Sequence, residues 1–419
     1  MKKKILSLVL ISVMVLTLVC SFVACNMDAD TEFKIGVLHI GSVDDTSGYT
    51  YAHQSGIEYM IEELGLDEAT QVVYSDELDD GDSAAINAAI ETLIAAGCNM
   101  IIGTSFGYCD EMQTYAEANP EIIFSHATGT LDTYGTTDNM NNFFGSIYEA
   151  RYLAGVAAGL QSLEIGNNNI GYVAAYGTDV AECSSGINAF ALGAQSVNPD
   201  AVVKVKVLDS WFDMQNESDY AYNLLVDEGC GIVTHHCDTS GPSLAAEAEG
   251  KYSIGYNSDM ANEVTDASSV LTSVVWNWGV YYKAAAEAAM ACFDIDDDGI
   301  ATFSNTDAWV AFGNYYGSYA DGLFGLADYS SVLTDEMVDI MDAYCAYVAS
   351  TGIIANSDCT WDVFTNYALT YSVDAETGAV TISEVDRALT DNEGNAVTVT
   401  ASDITGSMPY FVAGVTLIV

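Results

Sequence analysis

Ser105 is the residue with the most evident potential for chemistry, because it lies at the centre of a Gly-Thr-Ser-Phe-Gly segment at 103–107. This pattern fits the turn on which α/β hydrolases expose a nucleophilic serine between a strand and a helix. His235 or His236 and Asp213 could then complete a catalytic triad. However, no glycine-rich oxyanion loop precedes the segment, and a serine at a strand end suits a ligand contact equally well. A secreted serine hydrolase is therefore the less favoured alternative.

Two segments contain residue types that bind metals. In the His-His-Cys-Asp run at 235–238, adjacent side chains of an extended segment point to opposite faces and cannot converge on one ion without a sharp turn. The acidic segment 294–299 supplies the first half of an EF-hand loop, but Asn305 stands where a bidentate glutamate is needed. Motifs for nucleotide hydrolysis, dinucleotide binding and zinc proteolysis are missing. We therefore predict an acidic turn at 294–299, no metal and no cofactor.

Aromatic and polar residues near strand ends are more informative. The rings lie at or near predicted loop starts, and they are Tyr49, Tyr51, Phe106, Trp211, Phe212, Trp276 and Trp278. Hydrogen-bonding side chains accompany them, namely His53, Ser105, His126, Asp213, His236, Asn257 and Asp259. Any one of the rings could belong to the core, but together they suit a flat ligand held by stacking and hydrogen-bonded at its edge. These residues form the predicted ligand site.

The elements that must position this site alternate between short apolar runs and helical patterns. Strands are predicted at 34–40, 71–74, 100–103, 121–125, 169–175, 201–208, 231–234 and 252–256. Helices are predicted at 50–64, 83–96, 108–118, 148–162, 180–197, 217–228 and 243–249. This alternation indicates right-handed βαβ units in two α/β lobes with parallel sheets. Ligands of such sheets bind beyond the carboxyl ends of the strands, where the predicted site residues lie.

Beyond residue 300 the alternation fades. A helix is predicted at 336–349, and a hairpin at 367–383 around an Asp-Ala-Glu-Thr-Gly turn. Cys98 and Cys230 each precede an apolar strand, a position typical of small buried thiols rather than of disulfides.

The charge balance is strongly acidic. The chain contains 60 acidic and 10 basic residues, and three of the basic ones are Lys2, Lys3 and Lys4. Because nucleic-acid binding needs clustered lysine and arginine, the composition predicts no nucleic-acid partner. It also disfavours anionic substrates.

The N-terminus has the form of a secretory signal. Lysines precede an apolar run at 5–23 that ends at Ala24 and Cys25. We expect cleavage before Cys25 and acylation of that cysteine, which would anchor the protein to the extracytoplasmic membrane surface, with a short tether at 26–33. Phe22 stands where a bacterial lipobox usually has leucine. A transmembrane helix is the alternative for this run.

Several ordered segments resemble one known family. They are 48–53, 144–155, 209–213, 236–240, 254–260, 276–282, 389–394 and 408–415. These motifs are similar to those of the basic membrane lipoprotein (PnrA-like) family of substrate-binding proteins of ABC transporters. The resemblance runs in order from about residue 34 to the end of the chain, apart from residues 361–385, which look like an insertion.

The resemblance implies a type I periplasmic-binding-protein fold, with two doubly wound lobes joined by crossing segments. The expected first lobe comprises residues 34–126 and about 258–320, and the second about 127–257 and about 321–419. Family members bind purine nucleobases or nucleosides and deliver them to an ABC permease with its ATPase, without catalysis. Nucleoside-binding members have a ribose-contacting lysine after the Leu-Thr-Ser segment, where this chain has Trp276. This departure favours a base such as adenine.

Two other hypotheses remain open at this point. The chain could be a receptor for a small sugar or another aromatic metabolite, or it could be an adhesin or lipoprotein antigen that binds nothing small.

Overall fold

The computed structural model describes residues 32–128, 137–351, 361–400 and 408–418. The predicted signal sequence, its Cys25 and most of the tether lie outside the described residues, as does part of the C-terminal region. Most of the described chain alternates between strands and helices, as the sequence predicts.

The strands, in chain order, are β1 (Ile35–Leu38), β2 (Val72–Ser75), β3 (Met100–Gly103), β4 (Ile123–Ala127), β5 (Met140–Gly145), β6 (Asn169–Ala174), β7 (Val202–Val207), β8 (Ile232–His235), β9 (Tyr252–Asn257), β10 (Val270–Trp276), β11 (Phe293–Ile295), β12 (Ala301–Phe303), β13 (Tyr315–Gly317), β14 (Phe324–Leu326), β15 (Tyr367–Val373), β16 (Val380–Asp386) and β17 (Val415–Leu417). The helices are α1 (Gly48–Leu64), α2 (Glu68–Gln71), α3 (Ser83–Ala95), α4 (Cys109–Ala118), α5 (Tyr148–Glu164), α6 (Ala181–Val197), α7 (Met214–Tyr222), α8 (Gly241–Ala248), α9 (Gly279–Met290), α10 (Asp307–Phe312) and α11 (Asp335–Thr351).

Two large sheets form the framework. The first has the order β13-β5-β4-β3-β1-β2 and is parallel, and the second has the order β14-β10-β9-β8-β6-β7-β17 and is parallel except for β14. The central strands are continuously apolar and buried, as β1 and β3 illustrate, because helices cover both faces of a parallel sheet. The α/β fold with parallel-dominated sheets that the sequence predicts is confirmed. We call the parts built on these sheets the first and second lobes.

Strand pairing assigns two segments differently from the expected lobe boundaries. Residues 140–145 pair with β4 in the first sheet, although the expected boundary near 127 put them in the second lobe. Residues 270–276 pair with β9 in the second sheet, although the boundary near 258 put them in the first lobe. In each case one strand that the sequence does not predict, β5 in the first sheet and β10 in the second, joins the sheet before the chain crosses to the other lobe. From the bounds of the elements that flank them, the crossings lie at 146–147, 277–278 and 318–323.

The C-terminal part packs on the second lobe. The predicted hairpin is confirmed as β15 paired with β16, and Asp374 closes its turn by accepting hydrogen bonds from the backbone of Glu376 and Thr377. Strand β17 then adds to the edge of the second sheet beside β7. The Asn188 side chain of α6 fixes the approach to β17, because its Oδ1 accepts a 2.9 Å hydrogen bond from Val412 N.

The cysteines of the described residues are unpaired. Cys98 and Cys230 are buried at the start of strands, and burial raises the pKa of each thiol to about 12. Among the described residues, no helix combines the length and the apolar composition needed to cross a membrane.

Candidate ligand-binding site

The carboxyl ends of the two sheets meet at Gly48, the first residue of α1. Gly48 N donates a 3.1 Å hydrogen bond to Ser258 Oγ, which follows β9 of the other lobe. Gly48 has a φ of 85°, and a Cβ atom at this position would lie 2.4 Å from the carbonyl oxygen of Asp238. Only glycine therefore allows this close contact between the lobes.

Three parallel rings extend from the first lobe to the second. His53 stacks on Trp278 with centroids 4.5 Å apart, and Trp278 stacks on Trp276 at 4.1 Å. We call His53, Trp278 and Trp276 the ring stack. Tyr49 packs nearly perpendicular to His53, with ring centroids 4.4 Å apart, and its hydroxyl donates a 2.7 Å hydrogen bond to the carbonyl of Thr104. The ring stack thus spans a crossing segment and provides an aromatic wall beside the cleft.

The first-lobe end of the ring stack is apolar in character. His53 is fully buried, and burial lowers its pKa well below the usual value, so that its imidazole is neutral. Its Nδ1 lies 2.5 Å from the hydroxyl of Tyr282. Neither His53 Nε2 nor Trp278 Nε1 has a hydrogen-bond partner among the described residues.

The second lobe contributes a hydrogen-bond network around Glu182. Glu182 Oε1 accepts from His236 Nε2 at 3.1 Å and from the Tyr256 hydroxyl at 3.2 Å. Trp276 Nε1 donates to the Tyr256 oxygen at 3.4 Å, and Tyr172 OH lies 3.3 Å from His236 Nδ1. We call Glu182, His236, Tyr256 and Tyr172 the carboxylate network. It meets the ring stack at Trp276.

His236 in this network is a neutral donor. Burial, and secondarily the charge of Arg151, lower its pKa to about 4, against the opposing effect of Glu182. With Nε2 protonated and donating to Glu182, Nδ1 is the acceptor for the Tyr172 hydroxyl.

Arg151 lies buried beneath this network. Its Nη1 donates a 2.6 Å hydrogen bond to the carbonyl of His235, and its Cζ is 3.7 Å from the centre of the Tyr256 ring. The guanidinium therefore supports Tyr256 from within the lobe. The segments that follow the sheet strands contain no lysine or arginine at 39–47, 104–108, 175–182, 208–213, 236–240 and 257–259.

Asp238 and Asn257 form a second polar pair at the lobe interface. Asn257 Nδ2 donates to Asp238 Oδ1 at 2.8 Å, from a backbone with a φ of 67°. Burial raises the pKa of Asp238 to about 8, with smaller contributions from Glu217 and Glu182. The carboxyl group is therefore mostly protonated at pH 7 and can both donate and accept a hydrogen bond.

Ser105 and His126 do not form a catalytic arrangement. Ser105 Oγ donates a 2.5 Å hydrogen bond to Asp80, and no histidine side chain among the described residues hydrogen-bonds to this hydroxyl. His126 Nε2 instead lies 3.3 Å from the carbonyl of Phe106, and its Nδ1 lies 3.0 Å from Asn142. Within the described part of the chain, the partner of the Ser105 hydroxyl is therefore a carboxylate and not the histidine of a Ser-His pair.

Other predicted site residues have different environments. Tyr51, Phe106 and Phe212 are 38%, 55% and 69% exposed. Asp213 caps α7 by accepting a 3.1 Å hydrogen bond from Asn216 N, and Asp259 caps the short helical turn that follows it.

Trp211 lies at the edge of the site. It contacts His236 edge-on with ring centroids 6.0 Å apart, and its carbonyl accepts from Asp238 N at 2.9 Å. The structure therefore brings together Tyr49, His53, Trp211, His236, Asn257, Trp276 and Trp278.

The sequence interpretation missed Glu182, Arg151, Tyr256, Tyr172 and Asp238 as site residues. Residues 175–181 follow β6 at the carboxyl edge of the second sheet, so the rule used for the other loops would have reached Glu182. Arg151 is the one basic residue of the largely apolar helical segment 148–164, which was a further usable signal.

The acidic segment 294–299 forms the turn between β11 and β12. Asp296 Oδ1 accepts from the backbone N–H groups of Asp298 and Ile300 at 2.9 and 3.0 Å. Within the described residues, no group of three or more His, Cys, Asp or Glu side chains is placed to hold a metal ion.

Comparison with known proteins places this chain in a family. Residues 33–339 match the family model described as ABC transporter substrate-binding protein, PnrA-like. A purine-binding protein of Brucella abortus is 37% identical over 262 residues, which are 62% of this chain and 70% of that protein. A Haloferax volcanii protein named as an ABC transporter glucose-binding protein is 35% identical over 251 residues, 60% of this chain and 59% of that protein.

Solved structures share the fold at low sequence identity. A solute-binding protein of an ABC transporter from Conexibacter woesei has a TM-score of 0.58 and 18% identity, covering 76% of this chain and 96% of its own. A periplasmic solute-binding protein from Actinobacillus succinogenes with bound D-allose has a TM-score of 0.51 and 15% identity, covering 71% and 98%. This chain belongs to the PnrA-like family of ABC transporter substrate-binding proteins.

Proposed function

We propose that this protein binds a purine nucleobase, adenine-like, or a purine nucleoside between its lobes and delivers it to an ABC permease and its ATPase. The observation that carries the proposal is the meeting of the ring stack with the carboxylate network at Trp276. Aromatic faces provide stacking, which is worth roughly 1–3 kcal/mol per base by analogy with nucleic-acid binding. The network and the Asp238–Asn257 pair provide hydrogen-bonding groups for the ring edge.

The charge of the site favours a neutral ligand. The segments at the strand ends contain no lysine or arginine, whereas Glu182 and Asp238 lie at the cleft. A phosphate would meet like charge there, and the Arg151 guanidinium is held beneath the network against the Tyr256 ring and the His235 carbonyl. Nucleotides are therefore disfavoured relative to bases and nucleosides.

The position of Trp276 favours a base over a nucleoside. A large ring stacked on Trp278 occupies the end of β10, where the resemblance implies a ribose-contacting lysine in nucleoside-binding members. The Brucella relative named as purine-binding supports the same ligand class.

A receptor for a small sugar is the second candidate. The Haloferax relative is named as glucose-binding, and carboxyl and amide groups beside tryptophan also suit sugar hydroxyls. The ring stack argues for the purine, because a saturated ring gains less from it than a flat aromatic one.

A thermal-shift panel of adenine, hypoxanthine, adenosine and glucose tests the proposal. A ligand at 100 times its Kd stabilises the native state by about 2.7 kcal/mol, so a binder raises the Tm. We expect adenine to raise it most. Stabilisation by glucose but by none of the purines would support the sugar receptor and reject the purine proposal.

The same proposal includes an extracytoplasmic location through a lipid anchor at Cys25. It rests on the lysines, the apolar run and the small residue before that cysteine. Replacing Cys25 with serine should move the protein from the membrane fraction to the soluble extracytoplasmic fraction. Retention of Cys25→Ser in the membrane would instead indicate an uncleaved apolar anchor.

A further inference from the structure

Glu182 has one carboxylate oxygen that no described residue occupies. Both donors that reach this side chain, His236 Nε2 and the Tyr256 hydroxyl, bond to Oε1. Oε2 has no hydrogen-bond partner among the described residues, and the side chain is 23% exposed. The carboxylate is therefore held firmly at one oxygen while the other remains free to accept.

Glu182 lies close to the first lobe as well as to the ring stack. Glu182 belongs to the second lobe, whereas Tyr49 belongs to the first. Burial is the main cause of the raised pKa of Tyr49, and the negative charge of Glu182 is the second cause. Glu182 also shares the Tyr256 hydroxyl with Trp276, which forms the end of the ring stack. A ring that packs beside Trp276 would thus bring its edge near Glu182.

Three features of its surroundings suit Glu182 to accept a hydrogen bond. Two donors converge on it, and it is the second residue of α6, where the helix dipole favours negative charge. The buried cation of Arg151 lies against the face of Tyr256, which supports the phenol as a donor to Glu182. A carboxylate oxygen that accepts a hydrogen bond requires a donor on the ligand.

We propose that Glu182 Oε2 is a specificity-determining acceptor for one N–H group of the bound base. This inference rests on the proposed function and identifies the ligand class as a purine that presents an N–H donor to this wall of the cleft. In adenine the donor is either the exocyclic amine or the ring N9–H. If N9–H is the bonded group, the receptor rejects nucleosides, since the sugar replaces that hydrogen.

Calorimetric titration of the full chain and its Glu182→Gln variant with three ligands tests the proposal. Adenine carries both donors, unsubstituted purine lacks the amine and 9-methyladenine lacks the N9–H. A hydrogen bond to a charged group corresponds to a change in affinity of about 10- to 100-fold. We expect Glu182→Gln to weaken adenine binding by this factor, and to have less than about a twofold effect on the analogue that lacks the bonded N–H.

Glu164→Gln is the matched control, because Glu164 is an exposed glutamate at the far end of α5. It should leave all three affinities unchanged. The proposal is overturned if Glu182→Gln binds adenine like the parent protein, or if it weakens all three ligands equally, as a purely structural role would require. If the parent protein itself binds no purine, the proposed function fails together with this inference. That result differs from one in which the parent protein binds adenine and Glu182→Gln binds it equally well, which rejects this inference alone.

Discussion

The two walls of the cleft differ in how they could hold a ligand. At the first-lobe end of the ring stack, contacts are made mainly through ring faces, and His53 Nε2 and Trp278 Nε1 have no partner among the described residues. In the carboxylate network of the second lobe, hydrogen bonds converge on Glu182 from His236 and Tyr256. Stacking is tolerant of the ring's identity, whereas hydrogen bonds depend on which atoms carry hydrogen. The comparison teaches that stability should depend on the first wall, whose rings are buried against one another, and ligand specificity on the second.

Trp278→Ala should produce the largest effect on stability. Trp278 is fully buried between His53 and Trp276, so its removal leaves a cavity in the ring stack. We expect the free energy of unfolding to fall by about 3–5 kcal/mol, measured by urea denaturation. Phe212→Ala is the control, since Phe212 is 69% exposed and should change stability by less than about 0.5 kcal/mol. Equal effects of the two variants would show that the ring stack contributes little.

Asp238→Asn should change how stability depends on pH. Burial raises the pKa of Asp238 from 3.8 to about 8. The native state therefore holds a proton that the unfolded chain releases near pH 4, and the contribution of this group falls as the pH rises from about 4 to about 8. At pH 9 the variant should be more stable than the parent protein by about 2–3 kcal/mol, allowing for partial solvent access to the cleft.

Below pH 4 the two proteins should differ little, because Asp238 is protonated in both the native and the unfolded states. Urea denaturation at several pH values measures the difference. A constant difference across the range would mean that the carboxyl group does not titrate in the way its burial implies.

Tyr256→Phe should mainly affect the ligand. The substitution removes one of the two donors to Glu182 Oε1 and leaves the ring over Arg151 in place. Loss of one hydrogen bond corresponds to about 1 kcal/mol, so adenine affinity should fall about fivefold in a calorimetric titration. Tyr281→Phe is the matched control, because the Tyr281 hydroxyl bonds Ser125 and Asn141 within the first lobe. Similar losses for both variants would argue against a special role of the carboxylate network.

Phe212→Ala should have the smallest effect on ligand affinity. The sequence predicts Phe212 as a site residue, but its side chain is 69% exposed. We expect a change of less than about twofold in the Kd for adenine, in line with an exposed substitution. A tenfold loss would instead place Phe212 in contact with the ligand, and would extend the site beyond the two walls.

Much of the framework could be predicted from the sequence because it depends on local patterns. Buried strands such as β3 are short apolar runs, and Gly97 before Cys98 marks the end of the preceding helix. Strand β5 could not be recognised in the same way, since it contains Asn141 and Asn142. Asn141 Nδ2 donates to the distant carbonyl of Gly313 at 2.8 Å, a contact that makes a buried asparagine acceptable in the sheet.

The site could be predicted only in part. Trp276 and Trp278 were recognisable because aromatic residues at a strand end suggest a ligand. The roles of Glu182 and Asp238 arise from contacts between segments far apart in sequence, such as Glu182 with His236 and Asp238 with Asn257. Sequence spacing does not reveal which oxygen of a carboxylate is left free.

The most direct test of the central claim is calorimetric titration of the purified protein with adenine and, separately, with glucose. The ring stack and the carboxylate network predict saturable binding of adenine at one site per chain, and no measurable binding of glucose under the same conditions. Saturable binding of glucose without binding of adenine would contradict the claim that the two walls recognise a purine.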